Sequence, residues 1–262
     1  DGRVRVGRDR ESFVADGTAI DEVRVYDRRL DPADVGELDA PPEAFTHLPL
    51  DAFETIDRST PAFETRYRYR VYGTGDLTVE VEADPNQSLV DTVDDYLPKV
   101  GLRTELPRAF DRFEWFGRGP TETYPDRKSG TPVGRYEGSV DEQYVPYIPP
   151  TDNGNKTDTR WAALSNGEVG LLGAPLEGTT NVNLEQWANL DEADHEHELE
   201  ARETVALDLD HAVSGVGGTP VQLNEDYQVK PEPVSFGVRL RPFTDEDPMD
   251  LAREGAPVDG DE

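Results

Sequence analysis

Residues 66–83 read RYRYRVYGTGDLTVEVEA, and this stretch decides the fold class. Arg66–Tyr72 and Leu77–Ala83 alternate bulky and polar side chains with period two, which puts one set on each face of an extended strand. Between them, Gly73-Thr74-Gly75-Asp76 supplies a tight turn, because glycine enters positive φ without a Cβ clash. Two strands joined so closely form an antiparallel hairpin. The same alternation recurs at Val205–Asp210 (VALDLD) and Val234–Leu240 (VSFGVRL). With 23 Gly and 21 Pro, long helices have little room, and the best helical stretch is the short, acid-rich Leu184–Asp194. The expected class is all-β, an antiparallel sandwich with one face of each sheet buried.

At 262 residues the chain can bury a core in one large β domain or two smaller ones. Its net charge is −30, from 56 acidic and 26 basic residues, and only four of the basic residues are lysine. Self-repulsion of this size destabilises a compact state in dilute solution, whereas molar salt shortens the screening length to about 3 Å. An aromatic content of 8% and clear strand periodicity exclude a disordered acidic chain. A halophile-type surface follows, and the expected setting is a high-salt cytoplasm, with an extracellular one left open. No basic stripe exists to meet phosphates, so nucleic acid is not an expected partner. No run approaches about 18 apolar residues, so no membrane-spanning helix is expected. The absence of cysteine rules out disulfides, thiol nucleophiles and cysteine-ligated zinc.

Three further runs stand apart from generic strands. Residues 115–130 read WFGRGPTETYPDRKSG, residues 145–161 read VPYIPPTDNGNKTDTRW, and residues 195–218 read HEHELEARETVALDLDHAVSGVGG. Loops this rich in aromatics, Gly, Pro and isolated charges suit contact with a partner, the plainer alternative being cover for sheet edges. In this order the three runs resemble the small-chain domain of glycoside hydrolase family 2 β-galactosidases, here of a haloarchaeal type, over roughly Phe45–Phe243. The resemblance implies an enlarged antiparallel sandwich, the supersandwich shared with galactose mutarotases. Farther upstream, residues 19–38 (AIDEVRVYDRRLDPADVGEL) resemble the closing strands of a laminin-G/concanavalin-like jelly roll. Ile20, Val23, Val25 and Tyr26 would form a last strand, and Asp31-Pro32 would open a short helix. The expected organisation is therefore a jelly-roll remnant at 1–38, a proline-stiffened linker at 39–44, the small-chain domain at 45–243 and a frayed acidic tail at 244–262.

Functionally, the resemblance implies the C-terminal part of a β-galactosidase that hydrolyses terminal non-reducing β-D-galactosyl residues of lactose-type substrates. A retaining glycosidase needs two carboxylates about 5–5.5 Å apart. Among 56 acids, composition gives no way to choose a pair. The resemblance places both catalytic glutamates in a (β/α)₈ barrel upstream, leaving this chain as scaffold and pocket wall, inactive alone and without a cofactor. Its implied partners are a galactoside or other glycan and that barrel, and homo-oligomerisation is left open. The alternative is a standalone carbohydrate-binding module with a mutarotase-like fold. An anomeric epimerase would need His211 and an acid partner, and ranks last.

In the family the Gly-Gly loop continues into Asp-Asp-Ser-Trp, whose tryptophan stacks on sugar. Here Gly217-Gly218 continues into Thr219-Pro220-Val221-Gln222-Leu223-Asn224, so that tryptophan is missing. Tyr227 becomes the candidate aromatic face, with Gln222 and Asn224 as candidate partners for hydroxyls. His195-Glu196-His197 would share one strand face as metal ligands, against the plainer reading of a solvated acidic run without HExxH spacing. Trp115, Arg118, Tyr124, Asp126, Arg127, Asn153, Arg160 and Trp161 match hallmark positions, where they are expected to hold the loops and dock the barrel. Arg127 or Arg160 is expected to fork onto Asp126 or Asp158. Asn155-Lys156-Thr157 and Asn86-Gln87-Ser88 fit the glycosylation pattern.

Overall fold

Two antiparallel sheets face each other across one apolar layer. The computed structural model describes residues 3–6, 23–24, 61–93, 96–190, 192–217 and 222–257. One sheet has seven strands in the order β3 (Phe63–Val71), β4 (Leu77–Pro85), β13 (Val234–Phe243), β10 (Gly170–Pro175), β9 (Trp161–Ser165), β6 (Arg112–Arg118) and β7 (Val133–Ser139). The other has six, in the order β2 (Val23–Arg24), β1 (Arg3–Val6), β5 (Lys99–Pro107), β12 (Ala201–Val213), β11 (Thr180–Trp187) and β8 (Lys156–Thr159). The all-β, antiparallel sandwich reading holds.

The hairpin read from residues 66–83 forms as expected, with Tyr67 opposite Val81 and Gly75 at φ 87° in the turn. Its core-facing residues Leu77, Val79 and Val81 meet Val205, Leu207 and Leu209 of the opposite sheet in one buried cluster. Strand alternation turns these three side chains of β12 to the same face. The other set, Ala206, Asp208 and Asp210, is buried too, so the expectation of one buried face fails at the centre of this sheet. A network of ions covers the outer face there. Asp208 accepts from Lys99 Nζ at 2.8 Å and Arg103 Nε at 2.7 Å, while Arg103 also meets Glu185 at 2.7 Å. Burial pushes both carboxyls up; Lys99 and Arg103 bring Asp208 back below the usual range, whereas the Asp208 charge helps hold Asp210 well above it.

Gly101 lies opposite Asp210 in the β5–β12 ladder. A methyl group there would sit 2.4 Å from Asp210 Cα and 2.8 Å from the Leu209 carbonyl oxygen. Both obstacles are backbone and cannot rotate away. Gly101→Ala is expected to destabilise the protein by about 3 kcal/mol, the upper end of ordinary overpacking. Urea denaturation in molar salt measures it, and an unchanged midpoint would show that the two strands part freely.

Two local expectations are corrected. Leu184–Asp194 is not helical: Leu184–Trp187 completes β11, where Leu184 pairs with Leu207, and partnership in the sheet overrides the acidic, helix-like composition. The tail does not fray at once after Phe243. Helix α1 (Gln87–Thr92) has a C-terminal counterpart, α2 (Pro248–Glu254), which opens with Asp247 accepting from Met249 N at 2.8 Å and with proline in its first turn. Leu251 of α2 packs on Trp161, Leu172 and Ala174, covering the outer face of the seven-stranded sheet. Of the proposed jelly-roll remnant, β2 pairs with β1, and β1 pairs with β5 through Arg5 and Glu105; the rest of 1–38 and the linker 39–44 lie outside the described residues.

Candidate functional site

The loop after β6 organises the end of the sandwich where the three unusual runs converge. Its backbone reverses at Tyr124–Arg127, which form an isolated antiparallel bridge. Tyr124 is buried, and that burial, with the Glu122 charge, holds its phenol well above the usual range. Asp126 faces the opposite way: its carboxylate accepts from the backbone N–H groups of Val216 at 3.1 Å and Gly217 at 2.8 Å. It thereby pins the segment that leaves β12, supplying acceptors to two donors outside any sheet.

Glu122 ties the other runs together. Its carboxylate accepts from Arg127 Nη2, from the Tyr147 hydroxyl, and from Gly154 N at 2.9 Å. Beside it, Thr123 N donates to the Asn155 carbonyl at 2.7 Å, and Asn155 Nδ2 returns a bond to the Thr123 carbonyl at 2.8 Å. Asn153 Oδ1 accepts from Val145 N at 2.8 Å. Arg118 Nε and Lys128 Nζ converge on Asp158 at 2.5 and 2.7 Å, and Asp158 has φ 53°, in the left-handed region that Asp tolerates better than most residues. Burial alone would raise the Asp158 carboxyl, and the two cations hold it below its ordinary range.

The pairing expected for the arginines is corrected by this geometry. Arg127 pairs with Glu122, and Arg160 donates to the backbone carbonyl of Asp158 at 2.5 Å while lying over Phe116. Among the described residues Asp126 pairs with no arginine; its carboxylate accepts from two backbone amides instead. Of the two glycosylation patterns, that at Asn155 falls away as an accessible site, the residue being 2% exposed; Asn86 is partly exposed and is the N-cap of α1, accepting from Leu89 N at 2.8 Å.

The first two runs, with Glu137, Gly138, Glu142 and Gln143 between them, wall a cleft of about 650 Å³. Trp115 and Lys156 line it together with Glu122, Arg127, Glu137 and Glu142. Trp115 is closed in by Phe113 at 4.8 Å and Tyr136 at 5.4 Å between ring centroids, and the Lys156 ammonium lies 5.2 Å from its own ring centre. Lys156 is 2% exposed and donates to the Gly154 carbonyl at 2.9 Å. Burial pulls its pKa down to about 8, opposed only by the Glu122 charge. Neither Glu122 nor Lys156 was among the residues read as candidates. The one available signal was a lysine inside a loop of a chain that has only four.

That depressed pKa has a pH signature. The unfolded lysine keeps its proton up to about pH 10.5, so between about pH 8 and 10.5 the unfolded chain binds more protons. Stability from this group therefore rises with pH across that window and is withdrawn as pH falls through 8. Lys156→Met is expected to remove about 2 kcal/mol of that rise. Urea midpoints at pH 7.5 and 10, compared between the two proteins, measure it; identical pH slopes would place the lysine's titration elsewhere.

Gln222, Asn224 and Tyr227 lie together on the loop that follows the pinned segment. Asn224 Oδ1 accepts from Asp226 N at 3.2 Å and caps the one-turn 3₁₀ helix Glu225–Tyr227. The Tyr227 carbonyl accepts from Gly215 N at 2.8 Å, and the residue is 39% exposed. Gln222 is exposed, and residues 218–221 between them and Gly217 lie outside the described residues. His195 caps a 3₁₀ turn at Glu196–Glu198 instead of sharing a strand face with His197, and both rings are solvated. Among the described residues no group of three or more His, Asp or Glu is arranged to hold a metal. His211 stacks on Phe236 at 5.1 Å, and partial burial lowers its pKa.

Fold and site together define an all-β domain whose special residues brace three long loops, two of which line a cleft. The chain belongs to the beta galactosidase small chain family, whose sequence profile matches residues 22–240. It is 40% identical over 159 residues to a beta-galactosidase of Vibrio cholerae, a match covering 60% of this chain and 14% of that protein. It is 32% identical over 169 residues to a beta-galactosidase of Priestia megaterium (63% and 15%), and 35% over 158 residues to one of Pseudoalteromonas haloplanktis (59% and 14%). The matched region thus amounts to about one seventh of the length of these curated relatives. No helix among the described residues is long and apolar enough to cross a membrane.

Proposed function

We propose that this chain is the small-chain part of a halophilic, haloarchaeal-type β-galactosidase hydrolysing terminal β-D-galactosyl residues, with the catalytic glutamates on a barrel outside it. Family membership over residues 22–240 is the observation that carries this reading. The braced loops support it, since Glu122 and Asp126 hold them rigid before any partner arrives, and rigid loops lose little entropy on docking. Gln222, Asn224 and Tyr227 would then form part of the pocket wall, with Tyr227 offering an exposed aromatic ring to a sugar. A high-salt cytoplasmic setting belongs to the same proposal.

Hydrolysis of a chromogenic β-galactoside, by this chain alone and by the product of the uninterrupted reading frame, tests the proposal in molar salt. The chain alone should be inactive and the longer product active. A folded longer product without activity would overturn the reading. Far-UV dichroism should also lose strand signal on dialysis to dilute buffer, because −30 of charge is then unscreened; full retention would remove the halophilic part.

A further inference from the structure

The cleft around Lys156 has a feature that bracing does not explain. An ammonium carries three N–H donors. Lys156 is 2% exposed and, among the described residues, uses one of them on the Gly154 carbonyl at 2.9 Å, while the face of Trp115 takes the cation without accepting in line. A buried ammonium with idle donors is costly, and an oxygen acceptor arriving in the cleft would relieve it. The charge of the walls decides which kind of oxygen. Three carboxylates, Glu122, Glu137 and Glu142, line the cleft against two cations, Arg127 and Lys156. An anion would meet net repulsion, in a chain already at −30. A free cation would have to approach the buried ammonium.

A hydroxyl group avoids both penalties, because it accepts from the ammonium and donates its own proton to a carboxylate. Of the lining residues, Glu137 and Glu142 are exposed and Lys156 is buried; one Glu142 oxygen accepts from Ser139 N at 2.7 Å and the other is left for a ligand, while Ser129 and Thr131 add hydroxyls, that of Thr131 donating to the Lys128 carbonyl at 2.8 Å. Several hydroxyls fixed on one small ring match this distribution. The volume of about 650 Å³ lies inside the range of small-molecule sites, about 300–1,000 Å³. We propose that this cleft binds a neutral saccharide of one or two rings, with one hydroxyl oxygen on the Lys156 ammonium and hydroxyl protons directed to Glu137 and Glu142. The inference goes beyond the reading above, since it needs no catalytic partner and does not involve the loop bearing Tyr227.

Calorimetric titration of this chain in molar salt with lactose, galactose and sodium glucuronate tests it. Lactose or galactose should bind saturably, and glucuronate at least tenfold more weakly. Lys156→Met should weaken the sugar at least tenfold, with near-UV dichroism reporting that the fold is intact. Should that variant fail to fold, Glu137→Gln on the exposed rim serves instead and should weaken binding about fivefold. Absence of sugar binding, unchanged affinity in a folded Lys156→Met or in Glu137→Gln, or tighter binding of glucuronate than lactose would each overturn the proposal. Because no hydrolysis is measured, the result is independent of the β-galactosidase reading.

Discussion

Asp76→Ala is expected to destabilise the protein by about 3–5 kcal/mol, the range for breaking a buried ion pair from one side. Asp76 lies at the end of the first hairpin turn and is 1% exposed. Its carboxylate accepts from Arg239 Nε at 2.5 Å, from the Thr74 hydroxyl at 2.5 Å and from Arg241 Nη1. Arg239, 3% exposed, also donates to the Leu251 carbonyl at 2.8 Å, so one guanidinium joins the hairpin, β13 and α2. Removing the carboxylate leaves that guanidinium buried without a counter-charge, under a helix whose seat it shares. Burial alone would raise the Asp76 carboxyl, but bonds from Thr74, Arg239 and Arg241 hold it below its ordinary value. Its contribution is thus present above about pH 4 and lost as pH falls through the lower, folded value. Denaturation midpoints in molar salt, with Asp76→Asn as the isosteric companion, measure the effect. A loss below 1 kcal/mol in both variants would show that water replaces the carboxylate.

Trp115→Ala is expected to lose a similar amount, about 3–5 kcal/mol, by a different route. The indole is 1% exposed, lies against Phe113 and Tyr136, and donates from Nε1 to the Arg118 carbonyl at 2.9 Å. Truncation opens a cavity in the layer between the sheets and strips the aromatic face from the Lys156 ammonium. Two observables separate these consequences. The denaturant midpoint reports the cavity, while the reactivity of Lys156 toward an acylating reagent should rise as the cleft floor loosens. A midpoint within 1 kcal/mol of the parent would show that the walls collapse to refill the space.

The hairpin and the strands at 205–210 and 234–240 were legible because period-two alternation is a local property, set by which face each side chain must take. Leu184–Asp194 was misread because its first four residues are strand only by virtue of β12 beside them. The tail was misread because Leu251 has somewhere to go only once β9 and β10 have formed its seat. Among the hallmark residues, the sequence identified the loops that matter. It could not show that Asp126 bonds the backbone 90 residues away, since the acceptor was visible and its donors were ordinary amides.

By itself, then, the sequence determined the all-β class, the strongly acidic composition and the family, because periodicity, composition and ordered motifs are carried by the chain as written. Only the tertiary structure decided which charges are paired, that Glu122 rather than Asp126 takes Arg127, and that Lys156 is a buried cation facing a cleft. The reason is physical: a charge acquires its partner, its dielectric and its proton affinity from groups brought near by folding, and sequence separation says little about which those are.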